Sequence, residues 1–356
     1  LDQATAYLAS YPMIILLDFI LPMDTSARKI DTPLLARIPL YIFMVILMPW
    51  MYVAFFNYMQ TSLAGGTLTW VAALGATTSL LWINVLPNIP VLHELGHGRG
   101  RFDVFLSYVG CLFIGNFSRM ITHTHVHHIH ASTIHDPDTP RRGESILAFA
   151  VRAAYSNWVE IYKMDQKRLQ GQGFFSFLRS WFFISILVQS TILALTYYFF
   201  GGVIALCIAG ATFGAMFFLE VFNYLQHYGI VRKPEDAFAP RHVWNHLQAA
   251  TRAFSYDITN HTPHHLAGDS PFQKNIPDTE APSMISPLFL LTLALVLPPV
   301  WTALVAKPKL KHWDLNYASP EELLLAREAN QKAGWPDWFS ETNIEAKQES
   351  INLKTA

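Results

Sequence analysis

Four stretches of this chain are apolar over lengths that a water-soluble fold rarely sustains: residues 34–58 ("LLARIPLYIFMVILMPWMYVAFFNY"), 66–91, 178–200 ("LRSWFFISILVQSTILALTYYFF") and 202–225. A helix crosses the hydrocarbon of a bilayer with about 20 such residues. It is one of only two structures that satisfy their backbone polar groups there. The runs are helical in length, so they predict an all-α fold: a polytopic transmembrane helical bundle of four to six spans. Composition agrees. The chain is 52% hydrophobic and 14% charged, where soluble domains carry about a quarter charged residues. No internal repeat or low-complexity linker interrupts it, so residues 1–356 read as one domain with a polar cytoplasmic tail from 307 to 356.

Charge sets the sides. The connectors "MQTSLAGG" and "GG" hold no Lys or Arg, whereas the opposite ends carry Arg28, Lys29, Arg99, Arg101, Arg141, Arg142, Lys163, Lys167, Arg168, Arg232 and Lys233. By the positive-inside rule the two hairpins dip away from the cytoplasm and return. The expected location is the bacterial inner membrane. A formal net charge of −1 leaves no basic surplus for nucleic acid. The N-terminus "LDQATAYLASYP" has no basic n-region, so no cleavable signal peptide is expected. The two cysteines, Cys111 and Cys207, sit in apolar surroundings and read as packing residues. No Cys-x-x-Cys pair indicates a fused iron–sulfur or rubredoxin-like module.

Three further segments are less regular. Residues 6–23 are apolar but hold Pro12 and Asp18, and are a candidate extra span. Residues 103–121 join two histidine clusters assigned to one side, so they cannot cross once, and they read as an interfacial or re-entrant helix. Residues 285–305 contain Pro298-Pro299 and have Lys on both flanks, which suits a helix lying along the membrane. In the tail, Ser319 and Pro320 mark a helix start before "EELLLAREANQKAGW".

The unusual count is fifteen histidines. Nine fall in four clusters at the basic helix ends: His93 and His97 in "HELGH", His123, His127 and His128 in "HTHVHH", His227 in "NYLQHYG", and His261, His264 and His265 in "HTPHH". Residues four apart share a helix face. The topology brings all four clusters to one side, so the isolated His227 meets partners from other helices. Nine imidazoles exceed what one ion takes and suit two, and a nearly all-nitrogen set points to redox-active iron rather than structural zinc. Carboxylates should orient and polarise the rings; the candidates are Glu94, Asp136, Asp138, Asp257 and Asp269. A zinc-protease reading of "HELGH", with Glu94 as general base, needs three ligands and leaves the other histidines unexplained. A transporter or haem protein would place histidines within spans rather than at their ends. His125, His130, His135 and His312 lie off the pattern. His242 and His246 are spaced i, i+4 and are candidates for supporting positions.

These boxes, with "NHTPHH" and the following "DPDTPRRGES", resemble the integral-membrane non-haem di-iron hydroxylases: alkane 1-monooxygenases and the hydroxylase component of xylene monooxygenase. Both belong to the membrane fatty-acid desaturase/hydroxylase superfamily. The resemblance runs from about residue 34 to 270. It implies nine iron ligands (His93, His97, His123, His127, His128, His227, His261, His264 and His265), two iron ions and dioxygen. It also implies electrons from a separate rubredoxin or ferredoxin with an NAD(P)H-dependent reductase, and an apolar substrate in the bilayer. The chain departs from the family at Thr122, where Glu is usual, at Gly98, where a basic residue is common, and at Asn260, Thr262 and Pro263, which replace Arg, Ser and Asp.

The expected activity is hydroxylation of an unactivated C–H bond in an alkane, alkylbenzene or fatty-acyl-like molecule. An oxidative decarboxylase forming terminal alkenes is the second reading and a desaturase the third. No protein acid or nucleophile is needed beyond the metal centre. A decarboxylase needs a group to hold a carboxylate, and Arg119, four residues before His123, is the candidate among Arg99, Arg101, Arg141 and Arg142. Phe217, Phe218, Phe222 and Trp82 are the aromatics expected to wall the substrate space.

Overall fold

A computed structural model describes residues 7–339 apart from 31 and 99, so Arg99, residue 6 of the first apolar segment and residues 340–356 of the tail lie outside the described residues. The four apolar runs form helices Pro33–Ala64, Trp70–Gly96, Trp181–Phe200 and Gly202–His227, here the first to fourth spans. Thr69 and Ser180 start the second and third spans: their side-chain oxygens accept the backbone N–H of Ala72 at 3.1 Å and Phe183 at 3.0 Å. Such N–H groups have no partner within the helix itself. The third and fourth spans reverse at Gly201, whose φ of +86° suits glycine. Only 17% of the most apolar window of the third span and 28% of that of the first are buried within the protein. Trp50, Leu195 and Leu206 point outward from these helices and the fourth. Outward apolar side chains are costly in water and favoured in lipid.

The second span continues past its predicted end at residue 91 to Gly96, carrying His93 with it. It breaks at Leu86, which is extended (φ −125°, ψ 117°) as a residue before proline prefers to be, and the helix resumes at Asn88. Asn88 Nδ2 then donates to the carbonyls of Asn84 at 3.2 Å and Gly110 at 3.1 Å. Gly110 belongs to Arg101–Leu112, a 12-residue helix about 18 Å long, too short to cross a core of about 30 Å. A Cβ on Gly110 would stand 2.6 Å from that of Leu92, so glycine is what lets this helix close against the one bearing His93.

Residues 285–305 fall on two helices, Pro287–Val296 and Pro298–Asn316, that meet at a 120° bend, giving four spans, or five if the bent pair is counted. The N-terminal apolar segment is the helix Tyr7–Ile20. Ser319 caps Pro320–Lys332 in a reciprocal box with Glu322. The tail as far as Phe339 is part of the folded body. Arg142 pairs with Asp314 at 2.7 Å, donates to Asn330 Oδ1 at 2.9 Å, and bonds the carbonyl of Gly229 at 2.9 Å. Gly229, two residues past the fourth span, has a φ of +68° and lies where a Cβ would be 2.5 Å from Leu310.

Candidate metal centre

Each histidine cluster is presented by a different local device. His93 and His97 share one face at the end of the second span. His227 is the last helical residue of the fourth. His261, His264 and His265 lie on the short helix His261–Leu266, whose first two N–H groups are accepted by the side chain of Asn245, at 2.8 Å from His261 and 2.9 Å from Thr262. The cluster at 123–128 depends on a π-turn, His123–His127, in which the N–H of His128 bonds the carbonyl of His123. In an α-helix a residue five positions on would lie about 140° round the axis. The wider turn places it beneath its predecessor. His128 thereby faces the same way as His123.

The nine rings converge in two groups. One holds His93, His97, His123, His128 and His264, the other His127, His227, His261 and His265, and within each group the ligating nitrogens lie within 4.8 Å of one another. Nε2 of His123 is 2.8 Å from that of His93 and 3.1 Å from that of His128, which is 3.0 Å from Nε2 of His264. In the second group Nε2 of His261 is 3.0 Å from those of His227 and His265. Nε2 of His97 and of His127 are buried with no hydrogen-bond partner. Neighbouring ligands on one ion at about 2.1 Å stand about 3 Å apart. Rings whose nitrogens face one another, with buried nitrogens left over, therefore fit metal ions between them, and an all-imidazole donor set suits Fe, Zn, Cu or Ni.

The electrostatics keep the lone pairs available. Burial, reinforced by neighbouring rings, pulls His128 down to about 2 and His261 to about 3, and holds His123, His264 and His265 well below the usual histidine range. Burial takes His97 to about 4, with Asp269 working against the fall. His127 goes the other way: burial lowers it, but the Asp136 carboxylate, 3.0 Å from Nδ1, outweighs that and raises it.

The carboxylates divide. Asp136 accepts the Nδ1 proton of His127 and is itself held by Thr139 Oγ1 at 2.7 Å and the N–H of Asp138 at 3.0 Å. Asp138 lies 3.8 Å from the same ring. The charge of Asp269 raises the pKa of His97. Two candidates touch no ligand ring. Glu94 accepts the N–H of Phe272 at 3.1 Å. Asp257 pairs with Arg252 at 2.8 Å and Arg28 at 2.7 Å, holding the turn that leads to His261. Arg119, picked out as a carboxylate clamp, is buried and committed elsewhere: Nη2 pairs with Asp138 at 2.6 Å and Glu220 at 3.3 Å. Two adjacent carboxylates leave it no surplus charge for a third. Asn157 braces both acids, at 2.7 Å from Asp138 and 3.3 Å from Glu220, and Asn223 donates to Glu220 at 3.0 Å. Glu220 escaped the sequence reading, though a glutamate within the run "FGAMFFLEVFNY" is the kind of intramembrane charge that marks a site.

The remaining histidines stay out of both groups. His242 bonds Glu322 at 2.6 Å and His246 bonds the carbonyl of Ile285 at 2.7 Å. His125, His135 and His312 are exposed and His130 is half-buried. Beside the centre lies a small apolar cavity of about 40 Å³, touching His93, His123 and His261 and walled by Ile89, Leu92, Phe222 and Ile258. Of the four expected aromatics, Phe222 lines it and Phe217, Phe218 and Trp82 do not.

A family model described as fatty acid desaturase matches residues 67–275. The hydroxylase component XylM of the xylene/toluene monooxygenase of Pseudomonas putida is 34% identical over 336 residues, 93% of this chain and 89% of that protein. An alkane 1-monooxygenase of Acinetobacter baylyi is 30% identical over 240 residues, 64% of this chain and 58% of its own length. Alkane 1-monooxygenase 1 of Pseudomonas aeruginosa is 26% identical, with 75% of this chain and 69% of that protein covered.

Proposed function

The chain belongs to the fatty acid desaturase family, and from that premise we propose that it is the hydroxylase of a membrane monooxygenase that inserts one oxygen atom into an unactivated C–H bond of an alkane or alkylbenzene. It is an integral membrane protein and an oxygen-dependent oxidoreductase. The observation that carries the finer reading is the placing of an apolar cavity against His93 and His123 of one imidazole group and His261 of the other.

Two irons are the metals proposed, one held by His93, His97, His123, His128 and His264, the other by His127, His227, His261 and His265. Bound there, they supply the reduction of dioxygen and the oxidation of carbon, in the balance RH + O2 + 2 e− + 2 H+ giving ROH + H2O. The chain supplies the rest. Asp136 fixes the tautomer of His127 by accepting its Nδ1 proton, and the carbonyl of Ile258 does the same for His261 at 3.1 Å. A ring so held turns its Nε2 lone pair inward. Leu92, Met120, Leu219, Phe222 and Ile258 keep the reacting carbon in an apolar wall, so that water does not compete for the oxidant. The wall's one cation, Arg119, is neutralised by Asp138 and Glu220, which favours a neutral hydrocarbon over a fatty-acid carboxylate. The electrons come from a rubredoxin- or ferredoxin-like protein and its reductase, on the cytoplasmic side where the basic helix ends lie.

The test is metal analysis of purified protein, followed by product identification with reductant, oxygen and a hydrocarbon panel. Two irons per chain and an alcohol from an alkane or alkylbenzene are expected. Zinc alone, no metal, or a terminal alkene with carbon dioxide from a fatty acid would overturn the proposal.

A further inference from the structure

The cavity beside the histidines shares a wall with a second one. The second is also apolar and about 40 Å³, and the two share Ile89, Phe222, Gln226 and Ile258 in their walls. The rest of the second cavity's wall includes Val85, Leu86, Leu288 and Ile14. Ile14 is carried by the N-terminal helix, which is fastened over the second cavity on either side of it. Tyr11 Oη donates to the carbonyl of Leu288 at 3.0 Å and pairs with Thr292 Oγ1 at 2.8 Å. Asp18 accepts the N–H of Thr251 at 2.9 Å and the hydroxyl of Ser286 at 2.6 Å. Tyr11, Ile14 and Asp18 are spaced three and four residues apart, so they share one helix face. The helix is pinned by its two polar residues with the isoleucine turned into the space between them, where it is 1% exposed.

The dimensions decide what such a space admits. Benzene occupies engineered protein cavities of about 150 Å³, and neither cavity reaches that size as it stands. A substrate that brings a C–H bond to the histidines must displace wall residues, and of the two partly buried ones common to both cavities, Phe222 and Ile258, Phe222 carries the larger side chain. Beyond it, Ile14 is one of the side chains that bound the room left for the rest of the molecule.

Resting on the hydroxylase reading above, we infer that Phe222 and Ile14 set the size of the hydrocarbon accepted. Phe222 is the shared wall residue that a substrate must turn aside, and Ile14 bounds the room beyond it, so that the enzyme takes compact molecules, a single ring with short alkyl groups, in preference to long chains. Both residues contact substrate and neither takes part in the chemistry.

The experiment is a size series (toluene, p-xylene, 4-ethyltoluene, 4-butyltoluene, decane) given to the reconstituted, iron-loaded enzyme and to Phe222→Ala, Phe222→Leu and Ile14→Ala, with iron content and melting temperature recorded for each. Wild type is expected to favour toluene and p-xylene. Phe222→Ala should raise kcat/KM for 4-butyltoluene relative to toluene about tenfold, mainly through KM, with Phe222→Leu between the two. Ile14→Ala should extend the tolerated alkyl length, raising kcat/KM for 4-butyltoluene relative to toluene. If the iron-loaded wild type oxidises none of these hydrocarbons, the hydroxylase reading fails. If wild type is active and the variants keep iron but share its size preference, this inference alone fails. Loss of iron from both Phe222 variants would make the residue structural and also overturn it.

Discussion

Changing Asp136 to Asn tests whether a single carboxylate aims His127 at the second imidazole group. Asp136 receives three hydrogen bonds: from His127 Nδ1 at 3.0 Å and Thr139 Oγ1 at 2.7 Å on one oxygen, and from the N–H of Asp138 at 3.0 Å on the other. Asparagine keeps the shape but has only one acceptor oxygen. The N–H of Asp138 is part of a buried turn and requires it. The amide NH2 is then left facing His127. Nδ1 must become an acceptor, the ring proton moves to Nε2, and the lone pair directed at the other three rings is lost. Asp138 is no substitute, because its nearer oxygen is 3.8 Å from the ring and 2.6 Å from Arg119. Removing a partner of this kind typically costs 10–100-fold in metal affinity, about 1.4 to 2.7 kcal/mol. The assay is competitive chelation of iron from purified wild-type and Asp136→Asn protein in one detergent, with metal-free melting temperatures as a control. Weakened binding of one iron of the pair is expected, with the fold intact. An affinity within twofold of wild type for both irons would refute the argument.

His227→Ala should insert normally but lose activity and half its iron, since the ring stands 3.0 Å from His261 Nε2 at the very end of the span; His312→Ala, exposed and bonded to Asn316, should match wild type in both activity and iron content. Arg119→Leu strands Asp138 and Glu220 as buried carboxylates and should cost about 3–5 kcal/mol of stability, read by thermal unfolding. A variant with an unchanged melting temperature that has lost only the turnover of fatty acids would restore the clamp reading. His246 is held neutral, its pKa pushed down to about 4 by burial. Above pH 6.5 the ring is neutral folded or unfolded and contributes nothing. As pH falls below 6.5 the unfolded chain takes up the proton and the folded one does not, so stability drops until about pH 4. His246→Asn should reduce the loss across that window by up to about 3 kcal/mol, measured by denaturant unfolding at stepped pH, and an unchanged slope would sink the assignment.

The spans were legible in the sequence because hydrocarbon demands one long apolar run per crossing, and each of the four runs became a helix. Most of the histidines were legible because pairs such as 93/97, 123/127 and 261/265 repeat at helical intervals, whereas the isolated His227 was placed by topology. What spacing could not supply was the way they group. His127 and His128 are adjacent in the chain yet join different groups, a result of the π-turn at His123–His127 that no i, i+4 rule encodes. The carboxylates were legible only in part. Asp136 and Asp138 follow the second box closely enough for a short loop to fold them back, whereas the partners of Glu94 and Asp257 are fixed by tertiary packing of Phe272, Arg28 and Arg252. The folded tail was the largest surprise. Its polarity suggested solvent, but Asp314 and Asn330 are buried against Arg142, more than 170 residues away in the chain.

The grouping of the rings fixes an order of events during synthesis. The first group needs His264 and the second needs His261 and His265, so both wait for one short helix that leaves the ribosome after the fourth span. A nascent chain that ends before it presents four of the five rings of one group and two of the four rings of the other. Completion of both groups therefore follows synthesis of the fourth span. Metal binding is then the last clasp, tying residues 93 and 264 of one group and 127 and 265 of the other. Loss of metal would loosen the same joints in reverse, freeing the helix at 261–266 before any span leaves the bilayer.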